Sequence, residues 1–261
     1  MNILVCLKMV SRATYTDMLC SNDASDDRLS GGAIEINPAD AYALETALKL
    51  KDRYGAYVTV LSMSPMLAEP MLRSALAMGA DEAVLVCDRI FAGSDTIATA
   101  KTLSAALKAL PRQDMIFCGS KAIDSETGHI GAQLAALNEL RYMGDVLAVN
   151  ELRDGRLCVK HAGKHGAEEY SLVLPAVFSI INGTGMIRSP TIFGLRSSAK
   201  REIRIMTGDT LHLTAEQAGK NASGTETVRI DRLSFAHRHG AYTDDVHDGA
   251  ARLAEMLECA K

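Results

Sequence analysis

Met115-Ile116-Phe117-Cys118-Gly119-Ser120-Lys121-Ala122-Ile123-Asp124-Ser125-Glu126-Thr127-Gly128-His129-Ile130-Gly131-Ala132-Gln133 contains one complete strand-loop-helix unit. It opens on a short apolar run, as expected of a strand buried on both faces of a parallel sheet. A loop with three glycines follows, then a helix starting near Thr127 with Ile130, Leu134 and Leu137 on one face. Small residues let backbone approach a ligand closely, and free N–H groups at a helix start attract phosphate oxygens. A plain strand-to-helix turn is the competing reading. The length of the loop and its three glycines favour a nucleotide pocket.

The same unit recurs along the chain. Ile3-Leu4-Val5-Cys6-Leu7, Val58-Thr59-Val60-Leu61 and Ala83-Val84-Leu85-Val86 are further strand-like runs, and Pro175 to Ile181 is a later one. Between them lie helical stretches. Asn37-Pro38 opens one, with Asn expected to accept from free N–H groups and Pro suited to the first helical position. Another runs from about Ala68 to Met78 and stops at Gly79, and a third from about Asp95 to Leu110. This β-α-β-α order predicts an α/β fold with a doubly wound parallel sheet, and ligands then bind beyond the carboxyl ends of the strands. After about Ser189 the periodicity weakens, Arg188, Arg196, Lys200, Arg201 and Arg204 crowd together, and a short helix near Ala250 to Cys259 closes the chain. We expect a domain over 1–204, with an extended C-terminal arm over 205–261 that needs another surface to cover it.

The bulk properties narrow the function. A formal net charge of -4 leaves no electrostatic footprint for nucleic acid or acidic membrane, and 5% aromatic residues with no Trp argue against base-stacking platforms. Cys6, Cys20, Cys87, Cys118, Cys158 and Cys259 form no C-x-x-C pair; several sit in apolar runs, as small buried hydrophobes do. With no apolar stretch of membrane-spanning length and no signal-like start, we expect a cytoplasmic protein. His129, His161, His165, His237 and His239 are dispersed, lack carboxylates at ligand spacing, and suggest no metal site. There is no G-x-G-x-x-G after the first strand and no P-loop, and no constellation of catalytic acid, base or nucleophile is visible.

A second segment bears on chemistry. Phe91-Ala92-Gly93-Ser94-Asp95-Thr96-Ile97-Ala98-Thr99-Ala100 follows the third strand-like run. Asp95 has the position of a helix cap, which alone accounts for it. Thr96 and Thr99 put hydroxyls on the first turns, and the small residues around them leave room for a flat ring.

Several of these segments, in this order, resemble the beta (small) subunit of electron-transfer flavoproteins. They are Ile3 to Lys8, Ile36-Asn37-Pro38-x-Asp40-x-Tyr42-Ala43-Leu44-Glu45, Val60 to Met63, Ala75 to Asp81, and Gly119-x-Lys121-Ala122-Ile123-Asp124. The resemblance covers about residues 1 to 204. It implies a sheet of the adenine-nucleotide-binding type and an arm wrapping a larger alpha subunit in a heterodimer. It also implies that Cys6, the turn Asn37-Pro38-Ala39-Asp40 and Met63 surround an adenosine. The loop from Ala122 through Gln133 would hold ribose and phosphate, chiefly through Asp124, Thr127, Gly128 and Gly131. Many members carry AMP there. Those of the electron-bifurcating type carry a segment like Phe91 to Thr99 and a whole FAD, which favours FAD over AMP here, with Asp95, Thr96 and Thr99 near the ring. Arg188-x-Pro190-Thr191-Ile192-x-Gly194-Leu195 resembles the dehydrogenase-recognition loop, within 182–200, with Ile192 as anchor. The approach Asn182 to Ser189 and the thinned basic run Ser197 to Lys200 depart from the family pattern. The function implied is an electron carrier between NADH or an acyl-CoA-type dehydrogenase and a further acceptor. The alternative is a nucleotide-binding regulatory module resembling universal stress proteins, binding AMP or ATP.

Overall fold

The apolar runs become the parallel part of one nine-stranded sheet. In the computed structural model, which describes residues 1–11, 34–183, 185–226, 228 and 244–259, they form β1 (Asn2–Cys6), β4 (Tyr57–Met63), β5 (Glu82–Val86), β6 (Met115–Gly119) and β10 (Ala176–Ile180). Cys20, His237 and His239 lie outside the described residues. β2 (Met9–Ser11) and β3 (Ile34–Ile36) pair apart from this sheet as an antiparallel ribbon. With β7 (Arg141–Arg153), β8 (Arg156–Gly163), β9 (Gly166–Val173) and β11 (Arg204–Met206), the strand order is β11-β5-β4-β1-β6-β10-β7-β8-β9, where β11 adds a short parallel edge beside β5. The chain first builds outward from β1 through β4 to β5, then crosses back to lay β6 on the other side of β1. That reversal puts the switch point of the sheet between β1 and β6, where a crevice opens at the carboxyl ends of the strands.

The helices cover both faces. On one face α1 (Pro38–Tyr54) and α2 (Glu69–Met78) pack on Ile3, Val5, Val58, Val60 and Phe117; on the other, α3 (Thr96–Lys108) and α4 (Ile130–Leu137) pack on Leu4, Cys6, Ile116, Cys118 and Val177. Successive residues of one strand feed opposite faces, so each apolar run fills two cores. At the centre, Phe117 and Phe178 sit opposite each other on β6 and β10, ring centroids 5.5 Å apart and tilted. Such an offset pair adds to the area it buries.

Three details depart from the sequence reading. Asn37 stands at the N-cap of α1 but makes no side-chain cap bond, its carboxamide being engaged with Lys121 and Ile123, while Pro38 occupies the first turn. The last helix of the quoted unit begins at Ile130 and not near Thr127, because Glu126 and Gly128 adopt φ of 50° and 66° and interrupt any helical path. Most importantly, the sheet is mixed. β7, β8 and β9 form an antiparallel meander on one side. β7 pairs in parallel with β10 up to Val146 and then turns to β8, with register shifts on either side of that residue. Its hairpin is made by Asp154-Gly155, both at positive φ, a pair well suited to a tight hairpin turn.

The chain divides into two compact units, Met1–Glu226 and Thr227–Lys261. In the first, α5 (Ile192–Ser198) lies against α2, and Gly194 is pressed so closely on the Ala77 carbonyl that no side chain fits there. The short helix α6 (Gly208–Leu211) follows β11, and Met206, Leu211 and Ala218 join the core beside α3. In the second, α7 (Val246–Cys259) carries an Asp248–Arg252 ion pair one turn apart and exposes Val246, Leu253, Met256 and Leu257.

Candidate functional site at the switch point

Polar ties at the carboxyl ends of β1 and β6 gather three separate segments. Asp40, in the first turn of α1, is buried and accepts from the backbone N–H of Lys8 at 2.7 Å and of Gly119 at 2.8 Å. One carboxylate thus fastens the ends of both strands flanking the crevice. Burial pushes the Asp40 carboxyl up to about 6, against the pull of these two amides, the Asn37 side chain and the Lys8 charge. Gly119 has no room for a side chain against Asp40 and Ala39, which explains why the strand ends in glycine.

Asn37 works as a bracket. Its amide donates to the Lys121 carbonyl at 3.1 Å, and its oxygen accepts from the Ile123 N–H at 3.1 Å. Lys8 completes the hold with an ion pair to Asp124 at 2.6 Å and a longer contact to Ser125 at 3.4 Å. The loop from Ser120 to His129 is therefore shaped by residues remote in sequence before any ligand enters. Ala122, Ser125 and Gly128 are half-buried, whereas Ile123, Glu126, Thr127, His129 and Ala132 are exposed. Pro38 is half-buried beside the buried Ala39.

Cys6 ends β1, Cys118 stands one residue before the end of the neighbouring β6, and both are buried in the same core. A contact from Cys6, together with burial, pushes the Cys118 thiol up, so it is no thiolate at neutral pH. Met63, at the end of β4, is half-buried against the same core. Gly131 is buried: a side chain there would strike Ser179 and meet the Tyr142 ring at 3.1 Å. Its smallness thus serves the packing of α4 on β10.

The second loop joins the first through one contact. Gln133 of α4 donates to Thr96 Oγ at 3.3 Å, while its own Oε1 is enclosed with no hydrogen-bond partner. Thr96 and Thr99 are half-buried on the first turn of α3. Asp95 caps that helix by accepting from the Ala98 N–H at 2.9 Å. Partial burial pushes its carboxyl up, but the amides of Ala98, Gly224 and Thr225 outweigh this and hold it below the ordinary carboxylate value.

Next to the glycine loop, on the β10 side, is a cavity of about 560 Å³. Lys121, Thr127 and Gly128 line it from the loop, and Tyr142, Asp145 and Ser179 from the sheet. Tyr142 donates to Ser179 at 3.1 Å. Sequence reasoning missed Tyr142 and Ser179, since they lie on strands whose pairing no local pattern announces. Ile192 stands apart from all of this on α5, 83% exposed, beside Phe193 at 86%. That segment is tied down by Arg188, which forms a two-pronged pair with the buried Glu45 and reaches Asp52 at 2.7 Å.

This geometry defines an α/β protein with a switch-point crevice walled by a glycine loop. Sequence comparison makes the class specific. The profile of the electron transfer flavoprotein domain matches residues 30–203. The electron transfer flavoprotein subunit beta of Thermoanaerobacterium thermosaccharolyticum is 35% identical, with 98% of each chain covered. Subunit CarD of the caffeyl-CoA reductase-Etf complex of Acetobacterium woodii is 34% identical over 88% of this chain and 87% of its own. The acryloyl-CoA reductase electron transfer subunit gamma of Anaerotignum propionicum is 43% identical over 61% of this chain and 64% of its own. The chain belongs to the electron transfer flavoprotein family, on the side of its beta subunits. Among the described residues, no helix is long and apolar enough to cross a membrane.

Proposed function

We propose that this chain is the FAD-carrying small subunit of a heterodimeric electron carrier. The contact between Gln133 and Thr96 carries the reading, because it makes one continuous wall of the loop after β6 and the loop after β5. AMP needs only the first of these. A flavin needs both: an adenosine end near Cys6, Asn37 to Asp40 and Met63, phosphates along Asp124, Thr127 and Gly128, and a ring at Thr96 and Thr99. The enclosed Gln133 oxygen, with no hydrogen-bond partner, is an unused acceptor on the side chain that joins the two loops, and Ala92, Gly93 and Ser94 keep the second loop small. When bound, the flavin supplies the one- and two-electron chemistry. The chain itself contributes position: Asp40 and Asn37 shape the phosphate loop, Asp95 sets the start of α3, and the threonine hydroxyls hold the ring edge.

The partner surfaces follow the same reading. Residues within 205–261 contact the larger subunit, with the exposed apolar side chains of α7 as one element of that contact. Ile192 meets a dehydrogenase, for which names such as caffeyl-CoA reductase and acryloyl-CoA reductase among the relatives suggest an acyl-CoA substrate class. NADH is the electron donor this reading favours, and the cytoplasm its compartment. Cofactor stoichiometry in the purified heterodimer is the deciding measurement. A second FAD and no AMP is the expected result; a single FAD with an equivalent of AMP overturns the proposal.

A further inference from the structure

The loop carrying Thr96 and Thr99 is held from an unexpected direction. Residues 219–225, the last part of the first unit before the chain continues past Glu226, lie on it in a dense set of hydrogen bonds. The Lys220 N–H donates to the Ala92 carbonyl at 2.9 Å. Ser223 Oγ accepts from the Asp95 N–H at 2.9 Å and shares its proton between the carbonyls of Gly219 at 3.0 Å and Gly93 at 3.2 Å. Asp95 answers with its second oxygen, Oδ2, which accepts from the Gly224 N–H at 2.7 Å, the Thr225 N–H at 3.1 Å and the Thr225 hydroxyl at 3.3 Å. Gly219 sits at φ 60° and touches the Ile90 carbonyl so closely that no side chain fits.

The two carboxylate oxygens of Asp95 therefore have separate duties. Oδ1 caps α3 through Ala98, and Oδ2 grips residues 224–225. A helix cap alone needs only the first. We propose that Asp95 is a positioning residue that, with Ser223, couples the segment Gly219–Thr225 to the first turn of α3, so that the seat of this segment sets where the Thr96 and Thr99 hydroxyls point. The link to the cofactor rests on the reading that a flavin lies against α3; the coupling itself does not. Its consequence is that the chain beyond Glu226 is joined through a few residues to the part of the site nearest the reacting ring.

The different duties of the two oxygens allow a clean test on the full-length chain. Asp95→Asn keeps a good cap, since Asn caps helices as well as Asp, but puts an NH2 where Oδ2 must accept. Ser223→Ala removes the hydroxyl from the other side, and Ser223→Thr restores it. Amide exchange at Gly224 and Thr225 should quicken by about tenfold in Asp95→Asn, while Ala98 keeps its protection. The methyl resonances of Thr96 and Thr99 should move in both Asp95→Asn and Ser223→Ala and return in Ser223→Thr, and the potential of the retained flavin should shift in parallel. A segment freed at 224–225 with unmoved methyl resonances and an unmoved potential overturns the coupling. Unchanged exchange at 224–225 in Asp95→Asn overturns the grip itself. If the wild-type chain retains no flavin, the reading of the site fails, yet the methyl resonances still decide the coupling.

Discussion

The two loops of the candidate site are built by opposite means. The glycine loop after β6 is held from within the sheet: Asp40 and Asn37 at the start of α1, and Lys8 at the end of β1, fix it with short bonds. The loop after β5 is held from outside, by a segment more than a hundred residues later in the chain. Its partner there, Thr225, is exposed, whereas Asp40 is buried. A loop braced by the core stands or falls with the fold. A loop braced by a surface segment can shift while the fold persists, because surface hydrogen bonds contribute little net stability and break locally.

The largest expected effect is on the inner brace. Asp40→Ala leaves the half-buried amides of Lys8 and Gly119 without their acceptor, at about 1–2 kcal/mol for each donor. Chemical denaturation should show a loss of that order, and equal stability to wild type would break the comparison. Asp40 also makes a prediction in pH. Its folded carboxyl titrates near 6 and an unfolded one near 3.8, so between those values the folded state binds more protons. Stability should therefore fall as pH rises from about 4 to 6, by up to about 3 kcal/mol, and Asp40→Asn should flatten that slope. A slope of the opposite sign in the difference between the two proteins would count against it.

Smaller effects belong to the turns. Gly128→Ala places a side chain at φ 66° and should cost about 1–2 kcal/mol, with nucleotide occupancy falling more than stability does. Gly131→Val acts differently: its side chain meets Ser179, so α4 should be displaced and stability and occupancy should fall together. If both variants lose nucleotide at unchanged stability, Gly131 serves the ligand after all. The smallest stability effect is expected from Thr96→Val with Thr99→Val, at half-buried positions of the outer loop. Adenosine binding should survive while the absorption or potential of the flavin changes; an unaltered spectrum would remove the threonines from the ring.

Much of this was legible because it is local. Runs such as Ile3 to Leu7 and Met115 to Cys118 can hardly be anything but strands buried on both faces, and helical stripes between them demand parallel crossovers. Asp95 reads as a cap from its neighbours alone, and it is one. The meander was a different case. Its Asp154-Gly155 turn is a local signal, but the switch of β7 from β10 to β8 depends on pairing that no short window contains.

What the sequence determined by itself, then, is the set of elements, their order and the loops that must lie at one edge of the sheet, since each follows from side-chain periodicity and backbone preference over a few residues. Tertiary structure alone decided what those loops are made to do. Asn37 has the composition and position of a cap, yet its carboxamide brackets Lys121 and Ile123. At Gly131 a side chain would strike Ser179 and meet Tyr142, a close approach that no short stretch of sequence announces. Ser223 carries no mark at all until the fold lays it on Asp95. A polar side chain or a glycine has several local uses of nearly equal energy, and the choice among them is made by whichever distant group the fold brings within hydrogen-bonding reach.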